Sequence, residues 1–367
     1  MRLRKIVSGQ EGAVALMVAV GFFVFVAFTA MVVDIGVILV TRNQLHNVAD
    51  AATLAGARQL GKLYEGLAPS AQQSYVLAAA DETLIRNAVL DAAGKNSAGG
   101  TAITINAADI RIGQWHTPTR ALTVTTTTPD AVEVTARRDA TANGPITTLF
   151  AKLMGINTAA VVSISQRSGG IWTGVERPTA ALTGAGTVEP GDLKLPVGIS
   201  ISWFTSGFCD QNIKFYPTSA STCAGWNTFN VSPASANNLR DILQGEWAGT
   251  YEAPGFAVSD TINFTNGVAA SDLFPSSPSK KGLVDLYNKY KNAAGVWDTT
   301  VPVYNSTACN PSGPIQIAGF ASVAVTNVLG PPDKIIEGTV KCHLVEPNSR
   351  GGGGEYGTKG SIPGLVE

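Results

Sequence analysis

Charge is scarce in this 367-residue chain. Asp, Glu, Lys and Arg together make up 14%, and 27 acidic residues nearly balance 26 basic ones. With a net charge of −1 and no Lys/Arg tract, a nucleic-acid-binding surface has no footprint. Histidine is scarcer still: His46, His116 and His343 stand in separate segments, and no H-x-x-x-H arises. No C-x2-C occurs either, so no zinc ligand set is expected. G-x-S-x-G and Walker A strings are absent, which removes the usual serine-hydrolase and phosphate-loop signatures. The glycines of "GAGTVEPG", residues 184–191, are irregularly spaced and read as turn chemistry. Asp210, Asp241, Glu246 and Asp260 leave a glycosidase-like carboxylate pair open, although solvated loop acids are the usual case. The expectation is a protein without catalysis, metal or cofactor.

Proline is missing before Pro69, and charge is missing from Gly12 to Val33. The second gap is 22 residues long, roughly 33 Å as a helix and enough to cross a bilayer core. It is too long for the apolar region of a signal peptide, and the nearest A-x-A after it, Ala49–Ala51, is too far downstream and falls inside a helical pattern. A retained single-pass anchor is expected. Arg2, Arg4 and Lys5 crowd its short side, which places the N-terminus in the cytoplasm and everything after about Val40 outside the inner membrane. The four cysteines, Cys209, Cys223, Cys309 and Cys342, then all lie in an oxidising compartment, where disulfides are expected. Three pairings exist. The simplest joins Cys209 to Cys223 and Cys309 to Cys342.

Past the span the helical pattern does not stop. Leu45, Val48, Ala52 and Ala55 recur at helical spacing, and Ala51, Gly56 and Ala57 widen the same small-residue surface. Alanine favours helix, so one helix of 48 residues, Ala13 to Leu60, would leave the membrane and continue. Two readings of its thin face stand side by side: a seam for a helix of another protein, or of a second copy, and packing on the chain's own domain. Asp34 has two readings as well. It sits in water at the outer interface, or it pairs with a cation on a partner helix.

The stretch from Glu11 to Leu60 resembles the N-terminal segment of TadG-like proteins of the Tad, or tight adherence, system that builds bacterial Flp pili. The resemblance rests on Glu11-Gly12 before the span, Val33-Asp34-Ile35-Gly36 near its outer end, and the run Gln44-Leu45, Ala49-Asp50-Ala51-Ala52, Leu54-Ala55-Gly56-Ala57. "IRIGQWH" at 110–116, "DAVEVTARR" at 130–138 and "PITTLFAKLMGINTAAVVSISQ" at 145–166 are similar to the Tad-like domain that often follows. The prepilin pattern, with Glu at the fifth residue after a cleaved Gly, is missing: Val14 and Met17 stand at the positions that Gly9 and Gly12 would define. The D-x-S-x-S metal motif of von Willebrand-type domains is missing too. The resemblance implies a retained, non-enzymatic, inner-membrane component of pilus assembly whose partners are other Tad/Flp proteins.

The expected fold class is α+β: a long N-terminal transmembrane helix extending into the periplasm, then two small exported units. The expected divisions are an anchor helix at 1–61, a Tad-like α+β domain at 62–168, a Gly/Pro linker at 169–196, a cysteine-containing β-rich domain at 197–346 and a flexible tail at 347–367. The first unit should hold a helix from Ser70 to Ala93, strands near 102–107, 109–115, 122–128, 131–136 and 161–165, and a short helix from Pro145 to Met154. Its own ends do not call on the anchor for a core. The second unit should hold strands at 197–203, 319–328 and 335–345 and helices at 235–243 and 282–290. Trp203, Trp226, Trp247 and Trp297 lie there, scattered as core residues are, though a rival function would use them to bind glycan or surface polymer.

Overall fold

The computed structural model describes residues 10–162, 178–216, 223–277 and 279–366. Helix α1, Gln10–Glu65, runs unbroken for 56 residues, roughly 84 Å. Nothing in its sequence breaks it, since proline first appears at residue 69. Its two parts differ in surroundings. Between Val14 and Val33 the large side chains, Phe22, Phe23, Phe25 and Phe28 among them, are exposed. From Leu45 onward one side of the helix is buried in protein.

Helices α2, Pro69–Gln73, and α3, Ala79–Gly94, replace the single expected helix at 70–93. The segment between them is captured by a distant strand edge: the Leu77 amide donates to the Thr126 carbonyl, and the Thr128 amide to that of Tyr75, both at 2.8 Å. Those bonds outweigh local helix propensity. On α3, Ile85, Val89 and Ala93 form the buried stripe at i, i+4, i+8, and Glu82–Arg86 and Asp91–Lys95 pair at i, i+4.

Strands β1, Ile110–His116, β2, Ala121–Val124, and β3, Ala131–Val134, make an antiparallel sheet with β1 in the middle, and Ile112 lies opposite Val132. The expected helix at 145–154 is instead a hairpin of β4, Ile146–Thr147, and β5, Thr158–Ala159, with one 3-10 turn at Ala151–Met154 inside its loop. Of the strand expected at 161–165, Val161–Val162 is present, and 163–165 lie outside the described residues. The linker expectation at 169–196 lies partly outside them too. Within them, β6, Thr179–Ala181, is fully buried and pairs with β3.

The second unit is a closed ring. It comprises β7, Val197–Ser200, β8, Asn212–Tyr216, β9, Ala224–Asn227, β10, Thr261–Thr265, β11, Trp297–Tyr304, β12, Gly313–Leu329, and β13, Ile335–Lys341. The circuit runs β7-β9-β10-β12-β11 and back to β7 through the parallel β7–β11 pair. The 17-residue β12 makes closure possible. Residues 313–316 pair with β10, while residues further along bind β11 on one edge and β13 on the other, and β8 extends β13. Trp226, Trp297 and Phe215 are buried in one apolar cluster, and Phe264 and Phe320 in another. Helices α4, Ala236–Ala248, and α5, Leu283–Tyr290, match the expected pair; the Ser235 hydroxyl caps α4 by accepting from the Asn238 amide.

Two expectations are corrected here. The disulfides are nested rather than local: Cys209 bonds Cys342, and Cys223 bonds Cys309. The first closes the β8–β13 pair at its end. The second ties the start of β9 to the loop after β11, where the Tyr304 hydroxyl donates to the carbonyls of Cys223 and Ala308. Strand pairing, not chain proximity, sets which thiols meet.

The tail expected to be flexible is ordered: β14, Leu344–Arg350, lies parallel to β15, Thr358–Ile362, and β16, Gly364–Val366, pairs with β6. The first sheet therefore reads β16-β6-β3-β1-β2, with the end of the chain as its edge. The Lys359 ammonium reaches Asp130 at 2.6 Å, and the other oxygen of that carboxylate accepts the Trp115 amide.

Candidate functional site at the helix junction

Eight buried residues of α1 form one line, Asp34, Thr41, Leu45, Val48, Ala52, Gly56, Leu60 and Tyr64, and buried Ala49, Thr53, Ala57 and Gly61 widen it. Steps of three, four and seven keep them on a single face. That face is the centre of the first core. Ile85 and Val89 of α3, Val132 of β3, Ala180 of β6 and Val345 of β14 belong to the same cluster. A Cβ placed on Gly56 would lie 2.6 Å from a Val89 methyl and 3.2 Å from one of Val132. A Cβ on Gly61 would lie 2.1 Å from the Ser361 carbonyl oxygen of β15. Close approach is indeed what the small residues provide, but to the chain's own α3, β3 and β15. Ala55, at the margin of the stripe, is half-buried. The first unit is thus not independent of the anchor helix, because the helix is its central element.

Asp34 opens the line, and the partners it has within this chain are of neither expected kind. It is 5% exposed, and both of its carboxylate oxygens are taken up by backbone amides of this chain. One carboxylate oxygen accepts the Leu149 amide at 2.8 Å, and the other accepts those of Phe150 at 2.9 Å and Ala151 at 2.5 Å. These amides begin the 3-10 turn in the β4–β5 loop, where backbone donors have no partner within the turn. Asp34 therefore acts as an N-cap supplied from 115 residues away, with charge-assisted bonds. Gly155, at φ +84°, ends the turn, and Thr148 closes the loop through its hydroxyl to the Ile156 carbonyl. The run Val33-Asp34-Ile35-Gly36 singled out in the sequence has its reason here, although only the fold supplies the partner. In the same region the Gln44 side chain accepts the Gly99 amide at 2.8 Å.

Asn in place of Asp34 keeps the shape but offers one acceptor oxygen and turns an NH2 group toward amide donors. The Asp34→Asn chain should insert normally and keep its disulfides. Amide exchange at Leu149, Phe150 and Ala151 should rise by about tenfold or more, while exchange in β1 and β3 stays as it was. Unchanged protection of those three amides would remove Asp34 from this role.

The remaining candidates do not converge. Asp210 pairs with Lys341, Glu246 accepts the Tyr290 hydroxyl, Asp260 accepts the Ala257 amide in a turn, and Asp241 is exposed on α4. Among the described residues no group of three His, Cys, Asp or Glu could hold a metal ion. Trp226 and Trp297 are core residues, Trp203 is half-buried, and Trp247 is covered in part by the Lys281 ammonium at 5.0 Å from its ring. A cleft lined by Trp115, His116, Leu182, Glu355 and Lys359 has its two charges engaged internally, Glu355 with the Gly184 amide and Lys359 with Asp130.

The fold and this junction define a class: a single helix, long and apolar enough to cross a membrane, that continues without a break into the core of a β-rich body. Residues 12–59 match the Tad family model, described as Putative Flp pilus-assembly TadE/G-like. The matched stretch covers the exposed half of α1, Asp34 and most of the buried stripe. No curated protein and no solved structure matches the chain.

Proposed function

We propose that this chain is a non-enzymatic, inner-membrane-anchored structural component of Tad/Flp pilus assembly, with its N-terminus in the cytoplasm and its bulk in the periplasm. The observation that carries the reading is the match over 12–59, which runs through both the apolar span and the helix face that organises the body. The basic N-terminal cluster and the two disulfides support the orientation. A helix rooted in both phases holds the body at a set height over the membrane, which suits a scaffold for other assembly proteins. Those proteins, and any self-association, would meet faces that the chain does not use itself.

The test is genetic. Deletion of the gene in the source strain should abolish Flp pili and surface adherence, and the full chain should restore both. A chain carrying a flexible Gly/Ser insertion after Val40 should be made, inserted and disulfide-bonded but should restore neither. Normal piliation of the deletion strain would overturn the assignment.

A further inference from the structure

The loop that Asp34 holds is apolar on its outside. Leu149 is 64% exposed, Phe150 41% and Ile156 56%, and Lys152 is exposed beside them. On α1 the neighbouring positions Val33, Val37, Leu39 and Val40 are exposed as well. The three hydrogen bonds to Asp34 fix the loop at this level of the helix, so the two sets of apolar side chains stand at the same height on the molecule. Asp34 lies 22 residues past Gly12, a rise of roughly 33 Å against a hydrocarbon core of about 30 Å. The loop therefore stands where the span leaves the hydrocarbon.

We infer that the 146–159 hairpin is a second membrane contact, with Leu149, Phe150 and Ile156 seated in the outer-leaflet interface of the bilayer that α1 crosses. The occupant is lipid because the patch stands at the same height as the exposed apolar positions of α1 and ends in a lysine. Large apolar side chains beside a cation that can reach phosphate are what an interfacial segment presents. The burial of Asp34 then has a physical reason, since its carboxylate satisfies three backbone donors where water is thin and an unpaired amide is costly. One helix fixes the height of the body. A hairpin lying on the surface beside it also fixes rotation about the helix axis. The inference rests on the reading that α1 spans the membrane.

The test uses the full chain in nanodiscs of phosphatidylethanolamine and phosphatidylglycerol. Single nitroxide labels are attached at Leu149→Cys, Phe150→Cys or Ile156→Cys, with Phe23→Cys in the span and Leu90→Cys on α3 as references. Leu90 is exposed and neighbours Val89, which packs at the level of Gly56, about 33 Å beyond Asp34 along α1. The hairpin labels should be relaxed more by oxygen than by a water-soluble nickel chelate. Their nickel accessibility should be at least about threefold below that of Leu90 and above that of Phe23. Hairpin labels that read like Leu90 would overturn the inference while a buried Phe23 label leaves the span intact. A water-exposed Phe23 label would instead overturn the span itself, and the hairpin contact with it. Strong dipolar broadening between hairpin labels would assign the patch to a second copy and equally overturn the lipid contact. A Leu149→Ser/Ile156→Ser chain guards against label artefacts. It should melt like the parent in detergent and lose only the lipid-dependent protection of 149–151; retained protection would overturn the inference.

Discussion

Gly56→Leu and Gly61→Ala should each destabilise the body itself, by about 3 kcal/mol or more, rather than weaken an association between chains. At Gly56 the added side chain would start 2.6 Å from a Val89 methyl, in a region where Ile85, Val89 and Val132 are all buried. At Gly61 the obstacle is backbone, the Ser361 carbonyl at 2.1 Å, so no rotamer change relieves it. Strand β15 would have to move, and with it the Arg58 bond to that same carbonyl at 3.1 Å. Local helix propensity runs the other way, since removing glycine from a helix interior favours the helix by about 1 kcal/mol. The clash has to exceed that gain, and both distances lie far inside van der Waals contact. Ala52→Leu belongs with them, because Ala52 is fully buried on the same stripe. Thermal melts of the detergent-solubilised chains should show lower midpoints, and limited proteolysis should open the region from α3 to β6. A Gly56→Leu chain that melts like the parent but loses crosslinks to another protein would restore an intermolecular seam.

What could be read in advance, and what could not, divides by how far away the partner lies. The α1 pattern is local: an uncharged run, no proline, then alanines at helical spacing. The helices at 236–248 and 283–290 carry their own caps and periodicity, so their positions were legible. The face of α1 was legible too, but its occupant was not, since Val89 and Ser361 are brought to Gly56 and Gly61 only by the fold. Asp34 is the sharpest case. A lone carboxylate at the end of a span invites water or a cation, yet its partners are three amides 115 to 117 residues on. The region at 145–154 misled for a related reason. Proline at its start and Gly155 at its end frame a helix, but Ile146 pairs with Ala159, and that pairing leaves room for one turn only. Cysteine pairing failed in the same way, because ring closure through β12 decides which thiols are neighbours.

Glu346 should make the body less stable as pH rises toward 7, and Glu346→Gln should remove that loss. The residue lies on β14, between the two units, with its carboxyl at 2.5 Å from the Thr300 hydroxyl of β11. Burial pushes its pKa from 4.5 up to about 7, the Asp192 carboxylate adds to the rise, and the Thr300 hydrogen bond only partly offsets it. Between those values the unfolded chain has released its proton and the folded chain still holds one. The folded state binds more protons, so stability is fully present below about 4.5 and declines as pH climbs through about 7. A shift of that size corresponds to about 3 kcal/mol once deprotonation is complete. Asp192, raised by its own burial, acts in the same direction; His343, lowered mainly by burial, acts oppositely by costing stability as pH falls. Comparing variant with parent cancels the His343 part and most of the Asp192 part, whose largest cause is its own burial. Glutamine keeps an acceptor for Thr300 and carries no charge at any pH. Chemical unfolding of the detergent-solubilised chain, followed through buried Trp226 and Trp297, should give equal stabilities near pH 4. Near pH 8 the Glu346→Gln chain should lead by about 3 kcal/mol. A variant equal to or weaker than the parent at pH 8 would mean that the carboxylate is well solvated where β14 crosses the ring.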